Sequence, residues 1–136
     1  MADNGKLYPA FDEAFAKYMA TLCAKADYIV PNITEACFMT GTEYKTQYDE
    51  AYVKDLLKKL SELGAKICIL TGVSFSEGTT GVMGYDKEKD EFNYYRHERL
   101  PVSYHGTGDI FAAAFSGAVL RGRSWQQAIQ IAADYT

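Results

Sequence analysis

The 136 residues are 48% hydrophobic and 24% charged and carry a formal net charge of −4, the make-up of one globular domain rather than a disordered or fibrous chain. Net acidity, with no basic run interleaved with aromatic residues, speaks against a nucleic-acid partner, whose phosphates call for excess Lys and Arg. No run of about 18 apolar residues exists to span a membrane, and no apolar region follows the polar Met1–Lys6 to make a signal peptide.

Phe11, Phe15, Tyr18, Met19, Leu22 and Cys23 recur at helical spacing and predict one apolar helix face, with Asp12 and Glu13 suited to the positive end of the helix dipole. Tyr28-Ile29-Val30, stopped by Pro31, predicts a short buried strand, and Thr34 to Thr40 a short helix ended by Gly41. Asp49 is the expected N-cap of a clearer helix with Tyr52, Val53, Leu56, Leu57, Leu60 and Leu63 on its apolar face, stopped by Gly64. Ile67 to Leu70 follows as a second buried strand ending at Thr71-Gly72. Strand, helix and strand in this order predict a parallel sheet with helical crossovers.

Residues 73–80 read as a loop, and Gly81–Tyr85 pairs with Glu91–Tyr95 as a hairpin around the polar stretch from Asp86 to Asp90. Ile110 to Leu120 is a nearly all-apolar, small-residue helix, a composition that calls for burial on most sides. Gly122 ends it, and Ser124-Trp125-Gln126-Gln127 is a capping box for the last helix, with Trp125 as a packing anchor. Cys23, Cys37 and Cys68 are odd in number and lie among apolar residues, which predicts free core thiols in a reducing, cytoplasmic setting. The polar start has no element before it, and the final helix lacks a stop signal. Residues 1–136 are therefore expected to form a single α/β domain that is part of a longer chain.

The residues richest in chemistry are Gly106-Thr107-Gly108-Asp109, just ahead of the apolar helix. Two glycines there let the backbone expose consecutive N–H groups at a helix N-terminus, where those donors and the dipole favour a phosphate. A carboxylate beside such a site would repel bound phosphate, so its use would be to take a proton from an attacking hydroxyl. Read from the residues alone, an ordinary loop-to-helix junction with Asp109 in the first turn is equally open. The loop is neither a Walker A sequence nor a dinucleotide fingerprint.

Gly106-Thr107-Gly108-Asp109-Ile110-Phe111-Ala112-Ala113-Ala114-Phe115 resembles the signature of ribokinase-like sugar and vitamin kinases. Within them, Val30-Pro31-Asn32-Ile33-Thr34-Glu35-Ala36 with Thr40-Gly41 is similar to the matching segment of pyridoxal (vitamin B6) kinases. Met1-Ala2-Asp3-Asn4-Gly5-Lys6-Leu7-Tyr8 resembles the end of a further segment of that group, with Ala2 where Gly is usual. The resemblance implies a ribokinase-like three-layer α/β/α sandwich, of which this chain holds the C-terminal portion of a doubly wound, mainly parallel sheet.

It further implies ATP-dependent phosphorylation of the 5′-hydroxyl of a B6 vitamer, with Mg²⁺, in a homodimer. Asp109 would be the general base, and the amides of Gly106, Thr107 and Gly108 an anion hole. Asn32, Thr71 and Tyr8 would lie by the ATP phosphates, and Glu35 with Asp3 would serve Mg²⁺. Hydroxymethylpyrimidine kinases of thiamine synthesis carry similar motifs; a Cys in place of the loop Asp would point to them. A nucleotide-binding piece without catalysis is a further reading.

Plainer roles stand beside these. Asn32 and Glu35 fit a helix cap and first turn, and Asp3 a solvated residue near a terminus. His105 is a neighbour of the phosphates at most, and His97 a surface residue. Tyr85, Phe92, Tyr94 and Tyr95 suit cross-strand packing.

Overall fold

In the computed structural model, which describes residues 1–136, a four-stranded sheet is built outward from the apolar segment that begins at Ile67. Its strands are β3 (Tyr28–Ile29), β4 (Ile67–Val73), β5 (Thr79–Asp86) and β6 (Glu91–Glu98), neighbours in that order. A separate two-stranded hairpin, β1 (Ala2–Asp3) and β2 (Lys6–Leu7), opens the chain. The helices are α1 (Glu13–Cys23), α2 (Ile33–Thr40), α3 (Glu50–Glu62), α4 (Thr107–Leu120) and α5 (Trp125–Tyr135).

Alternation along β4 divides the core in two. Cys68 and Leu70 join Val53, Leu56, Leu57 and Leu60 of α3 and Ala36 and Cys37 of α2 on one face. Ile67 and Ile69 meet Phe111 and Phe115 of α4 and Ile129 and Ala132 of α5 on the other. The result is the expected three layers, α/β/α. Each fully buried leucine of α3 contributes about 1.5–3 kcal/mol by leaving water.

The pairing differs from a mainly parallel sheet within these residues. β3–β4 is parallel, but β4–β5 and β5–β6 are antiparallel, because a tight polar turn closes β5 onto β6. The hairpin is longer than its sequence signal, and it shortens the loop before it to residues 74–78. Tyr85 lies opposite Phe92 in register, their rings stacked at 4.5 Å and 12°, the expected cross-strand packing.

Caps fall where the sequence puts them. Asp12 and Asp49 accept from the third residue onward, and Asn32 and Ser124 each close a full capping box. The opening stretch is more ordered than its polarity suggests. Asn4 (φ 50°) and Gly5 (φ 78°) turn β1 back onto β2, the left-handed pair favoured in two-residue hairpins.

Three expectations about burial are corrected. α4 buries only Phe111, Phe115 and Ala118, with Ile110 and Leu120 exposed, because one sheet face and α5 cover just one stripe of it. The apolar face of α1 likewise buries Cys23 as expected but leaves Phe15, Tyr18 and Leu22 exposed, while Ala16, outside that face, is buried. β3 is not an interior strand but an edge, with Tyr28 partly exposed.

Gly84 is glycine for a steric reason. A Cβ there would fall on the Trp125 ring and lie 3.0 Å from Ile129 Cδ1. Gly84→Ala is expected to cost about 1–3 kcal/mol by overpacking, measurable as a lower urea midpoint with unchanged slope.

All three cysteines are free and buried. Burial pushes the Cys68 thiol from its ordinary 9.0 up to about 12. The folded state thus holds a proton that the unfolded chain releases near pH 9, so this stabilisation is complete below pH 9 and lost as pH rises toward 12. Tm is expected to be flat across neutral pH and to fall above 9, with Cys68→Ala reducing the slope of that fall.

Candidate active site

The topology gathers the singled-out residues at one end of the sheet. β6 runs parallel to β3 and β4, since two antiparallel steps separate it from β4. The chain therefore leaves Glu98 at the carboxyl end of the parallel strands, and α4 begins there after residues 99–106. Further along α4, Phe115 packs edge-on against Tyr28, at the amino end of β3, with centroids 5.5 Å apart. α4 thus runs back along the strands, and its N-terminus lies beyond their carboxyl ends, where open α/β sheets bind ligands.

Gly106 is the N-cap of α4, in the left-handed region at φ 88°, and no side chain caps the helix. The first helical amide with an acceptor is Ile110 N–H, 3.1 Å from the Gly106 carbonyl, and those of Thr107, Gly108 and Asp109 have none. Thr107 Oγ1 turns away, donating to the Tyr104 carbonyl at 3.3 Å. Asp109 lies in the first turn, exposed and free of hydrogen bonds. A Cβ on Gly108 would meet nothing within 4 Å, and its φ is not positive. Nothing in the fold itself calls for glycine there, whereas close approach of a ligand to the backbone would.

The second half of the site is built around Asn32. The parallel register of β3 and β4 recurs three residues further on as a bridge between Asn32 and Thr71, with Thr71 N–H donating to the Pro31 carbonyl at 3.1 Å. Directly after Thr71 the β4–β5 pairing slips at Gly72 (φ 70°). Leu70 and Val73 therefore share a core cluster at odd spacing, and Thr71 is left partly exposed at the strand end.

Asn32 Oδ1 accepts from Glu35 N–H at 2.8 Å, and Asn32 Nδ2 donates to the Ala2 carbonyl at 2.8 Å. Glu35 returns the capping bond, Oε2 accepting from Asn32 N–H at 3.1 Å, while its Oε1 lies 3.0 Å from the Met1 amine. Gly5 N–H donates to Thr34 Oγ1 at 3.0 Å. The hairpin is thereby docked on the start of α2, and Asp3 stands exposed beside Asn32 and Glu35.

Asn32, Glu35, Thr71 and Asp3 are thus brought together, with Gly106–Asp109 at the same end of the sheet. Tyr8 is exposed; its backbone N–H ties to the Met1 carbonyl, and its hydroxyl makes no bond. His105 is exposed next to the loop. The docked hairpin and buried Thr34 were missed as parts of the site, although Asn4-Gly5 is a readable turn signal.

No three His, Cys, Asp or Glu side chains are grouped to hold a metal by themselves. The Glu35 oxygens accept from Asn32 N–H and the Met1 amine, and those of Asp3 from Asn4 N–H at 2.9 Å and Asn4 Nδ2 at 3.4 Å, so neither carboxylate is free of protein donors and each keeps only its remaining lone pairs. That donor set fits a largely hydrated Mg²⁺ shared with phosphate oxygens, not a protein cage.

A glycine loop with unpartnered amides at a helix N-terminus, set at the carboxyl end of an α/β/α sheet, is an arrangement suited to phosphoryl transfer. The chain belongs to the phosphomethylpyrimidine kinase family, whose model matches residues 2–136. It is similar to a Bacteroides thetaiotaomicron VPI-5482 protein described as a phosphomethylpyrimidine kinase, at 32% identity and a TM-score of 0.94 over 99% of this chain and 46% of that one. A second crystal form of that protein contains pyridoxal. Pyridoxal kinase of Dictyostelium discoideum is 27% identical over 89% of this chain and 42% of its own length. Hydroxymethylpyrimidine/phosphomethylpyrimidine kinase of Bacillus subtilis is 28% identical over 91% and 45%. The chain therefore spans less than half the length of these relatives.

Replacing Asn32 tests how the site is assembled. Asn32→Ser keeps an N-cap but loses the bond to Ala2, and Asn32→Ala loses both. The Ala variant is expected to lose about 1–2 kcal/mol, and the Ser variant less. In both, the amides of residues 2–7 should exchange faster with solvent, as hydrogen exchange would report.

Proposed function

We propose that this chain supplies the nucleotide-binding and catalytic wall of a kinase that moves the γ-phosphoryl group of ATP to the 5′-hydroxyl of pyridoxal, pyridoxine or pyridoxamine. The observation that carries the proposal is the row of unpartnered N–H groups at Thr107, Gly108 and Asp109, facing open space beside a free carboxylate. The hydroxyl oxygen attacks the γ-phosphorus as the bond to the ADP oxygen breaks, and Asp109 takes the hydroxyl proton. The amides at Gly106, Thr107 and Gly108 hold the charge on the moving phosphoryl oxygens, where fixed donors need no reorganisation.

Asn32, Thr71 and Tyr8 bound the phosphate channel on its other side. Asp3 and Glu35 would hold Mg²⁺ through its waters, and the ion supplies charge neutralisation on the phosphates. The vitamer reading rests on the pyridoxal kinase relative and on the relative crystallised with pyridoxal. The pyrimidine alcohol of thiamine synthesis is the second reading, favoured by the family model and the Bacillus subtilis relative.

Asp109→Asn should lower kcat by about 10²–10⁴-fold with nucleotide affinity kept; undiminished turnover would remove Asp109 from the mechanism. Rates with pyridoxal and with hydroxymethylpyrimidine, compared as kcat/KM, choose between the substrates. Gly108→Val separates binding from chemistry. Its side chain has room in the fold, so Tm should hold while ATP affinity falls at least about tenfold, about 1.4 kcal/mol. Unchanged affinity would place the nucleotide elsewhere, and ATP binding without turnover of either alcohol marks a nucleotide-binding piece.

A further inference from the structure

The sheet ends at β6 on the side away from β3, and no strand lies beyond it. Arg99 N–H donates to the Gly78 carbonyl at 2.9 Å, and the β5–β6 register continues from there without a bulge. In an antiparallel ladder, residues bonded inward and outward alternate. Glu91, Asn93, Tyr95 and His97 therefore turn their backbone groups toward β5, and Phe92, Tyr94, Arg96 and Glu98 turn theirs outward.

Charged side chains along such an edge keep it from pairing indiscriminately. Glu91, Arg96, Glu98 and Arg99, however, have no ion-pair partner within the chain, and their order fits the same strand run backwards. The twofold axis that sets two copies of one edge side by side and antiparallel stands perpendicular to the sheet. Each residue then meets one on its own face, so the permitted registers are spaced two residues apart.

With Tyr95 on the axis, Glu91 falls opposite the second copy's Arg99, Tyr94 opposite its Arg96, and Asn93 opposite its His97. Phe92 falls opposite the second copy's Glu98. Lys54 and Lys58 already stand over the Phe92 ring, their Nζ atoms 5.1 and 5.9 Å from its centroid, so that carboxylate arrives beside two ammonium groups. No like charges meet. One permitted step in one direction sets Arg96 against Arg96, and one step in the other sets Glu98 against Asp90. Like charges directly opposite are destabilising, so the charges select one register.

We propose that the β6 edge is a self-recognition surface, on which a second copy of this chain docks as an antiparallel strand centred on Tyr95. The outward N–H and C=O groups of Phe92, Tyr94, Arg96 and Glu98 pair with those of the other copy, and the two sheets join into one. The product is a twofold dimer that salt weakens.

Sedimentation of the chain without nucleotide should show a monomer–dimer equilibrium. Tyr95 meets its own copy as a non-hydrogen-bonded pair, whose Cα atoms lie about 4.5 Å apart, within disulfide reach. Tyr95→Cys should therefore oxidise to a linked dimer, the native cysteines being buried. Asn93→Cys, displaced from its own copy along the strands, should not. Glu91→Arg and Arg99→Glu should each weaken the dimer at least about tenfold, with the Tm of the dilute monomer unchanged, since both side chains are exposed and unpaired. The double variant exchanges the signs of both pairs and should restore dimerisation. A monomer at every concentration, association indifferent to the reversals, or a double variant no better than the singles overturns the proposal, as does failure of Tyr95→Cys to link. No readout involves catalysis.

Discussion

One parallel pairing, β3 against β4, carries the arrangement. It continues three residues past β3 as the bridge between Asn32 and Thr71, and that extension brings the two together at the strand ends. Backbone pairing holds Asn32 in place, which leaves its side chain to cap α2 with one atom and hold the hairpin with the other. Asp3, Glu35 and Thr71 are all located by bonds that pass through this residue or its neighbours.

The slip after Thr71 serves the same end. Without it, regular alternation would continue up β4 and pair Thr71 fully with β5. With it, Val73 returns to the core face and Thr71 remains at the mouth of the strand pair. Gly72 accepts the left-handed conformation that this requires. Across the same end of the sheet, Gly106 makes a comparable left-handed turn and releases three amides from intrahelical bonding. The site is thus built from backbone features at strand and helix ends, held by a core that lies away from it.

Legibility in the sequence followed the physics of each signal. Capping residues and helical periodicity are local, so Asp49, Ser124 and the α3 face were readable and match the structure. The three layers followed from the strand–helix–strand order. Burial was less readable: α4 and α1 are apolar by composition, but how much of them is covered depends on elements beyond their own sequence. The antiparallel β5–β6 pair was seen as a hairpin, while its effect on the sheet, from mainly parallel to mixed, is a long-range property. Asn32 and Glu35 looked like either cap or site. The structure realises the cap in full, and the Asp3 carboxylate accepts from Asn4 N–H and Nδ2 in the adjoining turn. Asn4-Gly5 was the one local signal passed over, and it positions that carboxylate.

The most direct test of the central claim follows the backbone amides of this chain by NMR as ATP is added. If the carboxyl end of the sheet is the phosphate site, Thr107, Gly108 and Asp109 should show the largest shifts, with smaller ones at Asn32 and Thr71. Saturable ATP binding that leaves those amides unmoved and shifts others would contradict it.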